Sequence, residues 1–380
     1  MAVSYEPLNP NTDVTTTRTL LHEVIPLTGT IVSGTYGGDA VALGSEGNIK
    51  DYSHGMFQSV YDYPYLSSSA NHIFDVTLGF DESSGLSSSA NTQNAKKIAI
   101  YNQFSQVLLG YNQTSSNVEI FESDLDITDD NRQMKECVFI PFSRLLSKDQ
   151  IKKGTFTIEL GTGDFTGAGL PFSDRIKLQD LSASVDGTGV GTAVGGEYGV
   201  LYDTTGSISS SNVASHGVVF YQAGIVVLSA SVFNQAATAH TATVGLPTFA
   251  SGTCTQTGST AGTGPARTQD EAWKLSAISG TCNAIRHRLY NVSYNNSTEI
   301  NSTIYFCRMP VNKFNYSSNP TYTSGSKMVI KNEATDIPVT YVTTIGLYSS
   351  NNELLATAKL SEPMKKDPTN EITLRVRLDY

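Results

Sequence analysis

Alternation of apolar and polar residues is sharpest at the C-terminal end of the chain. From residue 371 to 378, Ile372, Leu374, Val376 and Leu378 alternate with Glu371, Thr373, Arg375 and Arg377, the period of a strand that turns one face to a core. Residues 340–348 are rich in β-branched and aromatic side chains and lead through Ser349-Ser350-Asn351-Asn352 into a second apolar run at 354–360. That order predicts a hairpin. Pro363 and Pro368 separate it from the terminal strand, since proline lacks the N–H that a ladder needs. The expectation is a three-stranded meander, its terminal apolar set facing a core and the chain's end tied down in a sheet.

Upstream the pattern is more varied. Residues 1–20 carry Pro7, Pro10 and a threonine run at 15–17 and read as an extended arm, either disordered or laid on a neighbouring subunit. A strand interrupted by Pro26 is expected over 20–32, and 34–47 reads as a loop. Residues 94–110 predict a helix with Ile98, Tyr101, Ser105 and Leu108 along one stripe, Phe104 and Val107 beside it, and Gly110 in a C-capping place. Cys137-Val138-Phe139-Ile140 forms an apolar run before Pro141, 142–152 a short helix or turn, and 155–160 an alternating strand. Residues 216–232 predict two buried strands around a turn at Gly224, whereas most of 161–217 and 233–272 is Gly, Ser, Thr and Ala, loop composition that needs a scaffold to lie on. The fold class that follows is mainly β with a minor α+β portion: β-sandwich or meander modules, long Gly/Ser/Thr-rich loops and one amphipathic helix near 94–110. The domains expected are a 1–20 extended N-terminal arm, a 21–160 mixed α+β domain, a 161–280 loop-rich β region or insertion, and a 281–380 C-terminal β domain.

Composition narrows the partners. Charged residues make up 16% of the 380, against roughly 25% in soluble domains, which favours a particle-bound or extracellular β protein over a cytosolic enzyme. The net charge of −10, from 25 basic and 35 acidic residues, opposes nucleic acid as a partner, because phosphate binding needs a basic surface. No membrane partner is expected: the apolar run at 217–232 is short and broken by Gly224. The opening residues lack a charged n-region followed by an apolar stretch, so assembly in a reducing cytoplasm is expected. The four cysteines, Cys137, Cys254, Cys282 and Cys307, show no C-x-x-C spacing. Cys137 and Cys307 lie in strand patterns as small hydrophobes. Cys254 and Cys282 flank one loop and are the only candidate pair, with free thiols the expectation in a reducing compartment.

Each constellation with chemical potential fails a specific requirement. Glu122, Asp124, Asp126, Asp129 and Asp130 cluster, but counting from Asp124 the sixth place of a calcium loop holds Asp129 instead of glycine and the twelfth holds Lys135 instead of an acid. The cluster reads as a solvated acidic turn. His22-Glu23 begins like a zinc-protease helix, yet Pro26 stands where the second histidine belongs. Gly187-Thr188-Gly189-Val190-Gly191 lacks the strand before, the helix after and the Lys-Ser/Thr of a phosphate loop. His54, His72, His216 and Arg286-His287-Arg288 have no nucleophile assigned to them, and no G-x-S-x-G elbow is present. No catalytic residue, metal ligand or cofactor is therefore expected. Two groups remain as candidate interface: the aromatic stretch with Tyr61, Tyr63 and Tyr65, anchoring one segment on another, and Arg286, Arg288, Tyr290, Tyr305 and Arg308, residue types enriched at interface hot spots.

Several phrases carry a resemblance. Gln58-Ser59-Val60-Tyr61-Asp62-Tyr63-Pro64-Tyr65-Leu66, Phe142-Ser143-Arg144-Leu145-Leu146, Ser302-Thr303-Ile304-Tyr305-Phe306-Cys307-Arg308, Phe314-Asn315-Tyr316 and Ile345-Gly346-Leu347-Tyr348 resemble uncharacterised virion structural proteins of tailed phages, particularly T4-like myoviruses of marine cyanobacteria. The resemblance leaves about 185–280 uncovered and brings no known active site. It implies a non-enzymatic structural subunit of a virion, in the tail, baseplate or neck, assembled in the host cytoplasm and contacting identical subunits and other virion structural proteins. The alternatives are a receptor- or glycan-binding tail-tip or fibre-associated protein, for which residues 52–65 offer stacking surfaces, a capsid-associated decoration protein, and a hydrolase of host surface polymer, which requires paired acids in a cleft.

Overall fold

The structure is a computed structural model that describes residues 5–26, 47–87, 91–112, 117–126, 132–161, 175–184, 187–204, 215–232, 273, 277–316, 323–324, 327–328 and 337–380. The chain is mostly β, with antiparallel ladders and few helices. It forms two compact units, His22–Thr298 and the pairing of Met1–Leu21 with Glu299–Tyr380. The composition-based division placed its boundaries elsewhere. Strands, not loops, carry the chain from one unit to the other, so no change of composition marks the border.

In chain order the first elements are β1 (Val14–Pro26), β2 (Ile49–Asp51), β3 (Gln58–Tyr61), β4 (His72–Phe80) and helix α1 (Asn94–Leu108). Next come β5 (Phe121–Glu122), β6 (Gln133–Met134), β7 (Glu136–Pro141), the four-residue helix α2 (Arg144–Ser147), β8 (Gln150–Ile151), β9 (Thr157–Gly161) and β10 (Arg175–Gln179). After them are β11 (Val190–Ala193), β12 (Gly196–Asp203), β13 (Ser215–Phe220), β14 (Ile225–Ser229) and helix α3 (Ile278–Arg288). The last are β15 (Leu289–Met309), β16 (Thr323–Ser324), β17 (Lys327–Met328), β18 (Thr340–Tyr348), β19 (Leu354–Lys366) and β20 (Ile372–Asp379).

In the larger unit the sheet runs β15, β9, β10, β12, β13, β14, β7, β4, β3, β2. Its centre is buried on both faces: Val138, Phe139 and Ile140 in β7, Val218, Val219 and Phe220 in β13, and Val226, Val227 and Leu228 in β14 are all interior. Consecutive burial explains why these stretches read as continuous apolar runs. The predicted turn at Gly224 is there, with φ +67° and its N–H bonded to the Phe220 carbonyl at 2.9 Å. On one face Phe104 of α1 stacks on Phe139 with ring centroids 4.3 Å apart, and Phe121 meets both Tyr101 and Phe139. Against the chain just beyond β7, Phe142 contacts Phe74, Phe156 and Tyr294. The segment after β7 ties two parts of the unit together: Ile151 pairs with Asn296 of β15 and donates its N–H to the Tyr221 carbonyl at 2.9 Å.

Helix α1 is rotated slightly from the predicted stripe. Lys97, Ile100, Tyr101, Ser105 and Leu108 are buried, Ile98 is half-buried, and Val107 is exposed. Gly110 follows the last turn as expected, with φ +98° and its N–H on the Ser105 carbonyl. Helix α3 was not anticipated. Its sequence is short of strong helix formers, yet Ile278, Cys282 and Ile285 are buried at the i, i+4, i+7 spacing of a helix face. The Cys282 thiol donates to the Val76 carbonyl of β4 at 3.3 Å, and the side-chain oxygen of Gln93 accepts the Ile278 N–H at 3.0 Å.

The smaller unit departs further from expectation. Residues 5–20 are no loose arm: Asp13 closes a turn on Asn9, its carbonyl accepts the Phe306 N–H at 2.8 Å, and β1 continues beside β15. Ion pairs from Arg308 to Asp13 and from Lys313 to Glu6 hold this segment to its own chain. The hairpin of β18 and β19 forms as predicted, but β20 pairs with β15, from Ser302 opposite Asp379 to Met309 opposite Ile372, so the meander is not three-stranded. Pro363 lies inside β19, at the place where register shifts between Val342 and Thr344, a bulge that spares it a ladder bond. The terminal apolar set does not reach a core. Ile372, Leu374 and Val376 are half-buried and Leu378 is exposed.

One contact in the larger unit gives a direct test. A Cβ at Gly79 would lie 2.5 Å from the Lys97 carbonyl oxygen and 2.8 Å from the Tyr101 nitrogen, both helix backbone that cannot swing aside. Gly79→Ala is expected to cost about 1–3 kcal/mol, as overpacking does. Gly85→Ala, with nothing within 4 Å of its added Cβ, should stay within about 0.5 kcal/mol of wild type. Urea unfolding midpoints of the two variants make the comparison.

Candidate interaction surfaces

The loop joining β3 to β4 presents the first candidate group. Asp62, buried at its base, accepts from the Tyr63 N–H at 2.8 Å and from both the backbone and side-chain N–H groups of Asn71 at 2.6 and 2.8 Å. The Tyr65 N–H bonds to the Gly47 carbonyl and the Ser67 N–H to the Pro64 carbonyl. The loop is thus pinned at its neck and along its length. Tyr63, Tyr65 and Leu66 point into solvent, with Leu66 87% exposed. Tyr61 sits lower, half-buried, its ring 6.3 Å from Tyr65 and edge-on to His72 at 5.5 Å. His72 meets the Asp75 carboxylate at 2.8 Å, and Asp75 also takes the Ser59 hydroxyl. His54 stacks on Tyr52 and accepts the Met56 N–H. His72 thus braces the loop's base, and His54 the separate turn before β3.

The residues of the second candidate group have separate surroundings. Arg286 is fully buried on α3 and is no surface anchor. The helix that carries it was absent from the sequence reading, so its inward face was too. Tyr290 is half-buried under the Arg175 guanidinium, 4.4 Å from the ring centroid. Tyr305 and Arg308 belong to the smaller unit, where Arg308 is engaged by Asp13 at 2.8 Å. Arg288 takes its place as the last residue of α3.

The acidic cluster is split between environments. Glu122 is buried and Asp126 exposed, with Asp124 between, while Asp129 and Asp130 lie outside the described residues, as does Cys254. Among the described residues no three acids, histidines or cysteines converge as a metal site would require. Cys137 and Cys282 are buried free thiols and Cys307 is a half-buried one. Burial drives the Cys137 and Cys282 thiols well above their ordinary range, which keeps them protonated and inert.

Two buried ionisable groups escaped the sequence reading. The Lys97 ammonium donates to Asn91 Oδ1 at 3.2 Å and to the Trp273 carbonyl, and burial pulls its pKa down to about 8. Asp180 accepts from the Gly154 N–H at 2.8 Å, the Phe156 N–H at 2.9 Å and the Tyr221 hydroxyl at 3.1 Å. Burial pushes its pKa up to about 7, only partly opposed by those donors. A signal for both was present. Lys97 is four residues before Tyr101 on the buried stripe, and Asp180 continues the inward parity of Ile176 and Leu178. Both groups tie backbone from separate segments together. Comparison of the chain with known protein families, with characterised proteins and with solved structures gives no match in any of the three.

Asp180 makes stability depend on pH in a defined direction. Its folded-state value lies above the ordinary 3.8, so the stability it contributes is complete below that value, declines as pH rises, and is lost above about 7. The full swing is on the order of 4 kcal/mol. Asp180→Asn, neutral throughout, should show a flatter profile than wild type when urea midpoints are measured from about pH 4 to about pH 8. Parallel profiles would contradict the assignment.

Proposed function

We propose that this chain is a structural subunit of a tailed-phage virion, of the tail, baseplate or neck, working as one of many copies and through surface instead of chemistry. The resemblance of its sequence phrases supports the virion. The single observation that carries the multi-copy part is the thinness of the smaller unit's core. Among its described residues only Ile304 and Met309 are buried large apolar side chains, while the contiguous core cluster lies entirely between Ile49 and Tyr294. A body of this kind draws its stability from association, as units that bury too little of their own apolar surface must. The low charge of the chain agrees, since it keeps desolvation at a contact cheap. Mass spectrometry of purified particles should recover the chain at many copies per particle, and its absence there would overturn the reading.

One observation favours a second reading, a receptor- or glycan-binding protein at a tail tip. The pinned loop holds Tyr63 and Tyr65 outward at fixed positions, which suits stacking on a sugar face at little entropic cost. The double variant Tyr63→Ala with Tyr65→Ala should then reduce particle adsorption to host cells about tenfold or more, the ratio that 1.4 kcal/mol of lost binding produces. Full adsorption by assembled variant particles would remove this reading and leave the first.

A further inference from the structure

We infer that the β4, β3, β2 end of the sheet carries a binding site for an uncharged saccharide with neighbouring hydroxyl groups, an inference that rests on the second reading above and adds polar recognition to its tyrosines. Lys50, Ser59 and Asp75 pair across the three strands, and next to them Tyr61 pairs with His72. Val60, Phe74 and Val76, which flank these positions along the strands, are buried in the core. The Tyr52 hydroxyl meets Ser59 Oγ at 3.2 Å, Ser59 donates to Asp75 Oδ1, and His72 Nε2 meets the same oxygen at 2.8 Å. Tyr61 lies edge-on to His72 at 5.5 Å, and Tyr65 is 6.3 Å from Tyr61. The result is a continuous row of polar groups and rings. It is open to solvent: the side chains of His72 and Asp75 are 33% and 27% exposed, and Tyr65 is 38% exposed.

The chemistry of the row selects its ligand. Both internal bonds to Asp75 fall on Oδ1, so Oδ2 has no hydrogen-bond partner among the described residues. In the tautomer that donates from Nε2 to Asp75, His72 Nδ1 is a second unengaged acceptor. Two fixed acceptors on adjoining side chains call for a ligand that brings hydroxyl donors at neighbouring positions, and a carboxylate accepts such bonds strongly. The Asp75 charge opposes an acidic ligand, while the Lys50 ammonium, 4.9 Å over the Tyr52 ring, opposes a cationic one. Tyr61 and Tyr65 offer rings to the apolar C–H surface of the same molecule. Adjacent hydroxyl donors, a C–H face and no net charge together describe a neutral sugar ring. Because the row is bonded within itself, little ordering remains to be done on binding.

The test is retention of the full chain on beads carrying dextran, mannan or galactan, with alginate and chitosan beads as the acidic and amine polymers. At least one neutral polymer should retain wild type and Glu362→Gln, a charge control at an exposed position of the smaller unit. Asp75→Asn and Tyr65→Ala should bind it about tenfold or more weakly. Retention on alginate or chitosan alone would overturn the inference, as would neutral-polymer binding that Asp75→Asn leaves unchanged. No retention on any bead, with adsorption of the Tyr63→Ala, Tyr65→Ala particles still impaired, would overturn the saccharide and leave the receptor reading. With that adsorption intact, both fall. If Asp75→Asn fails to fold, hydrogen exchange on wild type decides instead: the retaining polymer should protect amides in 59–66 and 72–75, and unchanged exchange there would exclude the site.

Discussion

Burial of β4, β7, β13 and β14 on both faces is the constraint on which the larger unit depends. A strand covered on one side only can be made from alternating residues, but one covered on both needs two further layers, and the chain has to supply them from distant segments. It does so with α1 and α3 on β4, and with Phe142, Phe156 and Tyr294 gathered where the chain leaves β7. The glycine at position 79 follows from this. With Lys97 and Tyr101 backbone so close to β4, no side chain fits between strand and helix, and the helix gains contact area in return.

The polar groups inside this unit are consequences of the same layering. Connections that cross a two-sided sheet bring backbone donors and carbonyls into the interior, and these require partners. Asp180 supplies acceptors for the turn at Gly154 and for Phe156, and Lys97 supplies a donor for the carbonyl of Trp273. Each ionisable group is displaced toward its neutral form by burial. That displacement accompanies structural contacts here: Asp180 binds two backbone N–H groups and the Tyr221 hydroxyl, and Lys97 binds the Trp273 carbonyl and Asn91.

What could be read from the sequence was what local pattern encodes. The apolar run at 137–140, the pair of strands about Gly224, α1 with Gly110 behind it, and the hairpin of β18 and β19 were all legible, because each is defined by periodicity and a turn residue within about twenty positions. What was not legible was pairing across the chain. β20 was assigned to its nearest neighbours in sequence, whereas its partner is β15. The arm reads from sequence as disordered or laid on a neighbouring subunit, because its own residues carry no sign of the Phe306 N–H that the Asp13 carbonyl accepts. Helix α3 was hidden by weak propensity and is held by tertiary burial of three side chains, a familiar override. For the candidate surfaces, Tyr63 and Tyr65 share one local loop, whereas the Arg/Tyr group, drawn from residue type alone, includes a buried arginine, a tyrosine under Arg175 and an arginine paired with Asp13.

The two units solve the problem of apolar surface in opposite ways. The larger one internalises its strands by laying helices and aromatic side chains on the sheet. In the smaller unit the alternating apolar residues of β18, β19 and β20 are half-buried, and their neighbours along each strand are exposed. Pattern alone does not distinguish these cases, since a strand destined for its own core and one destined for a neighbour's both read as period two. The distinction lies in what else the same unit contains. Around β18, β19 and β20 the described chain offers no helix, and no second set of buried aliphatic residues beyond Ile304 and Met309.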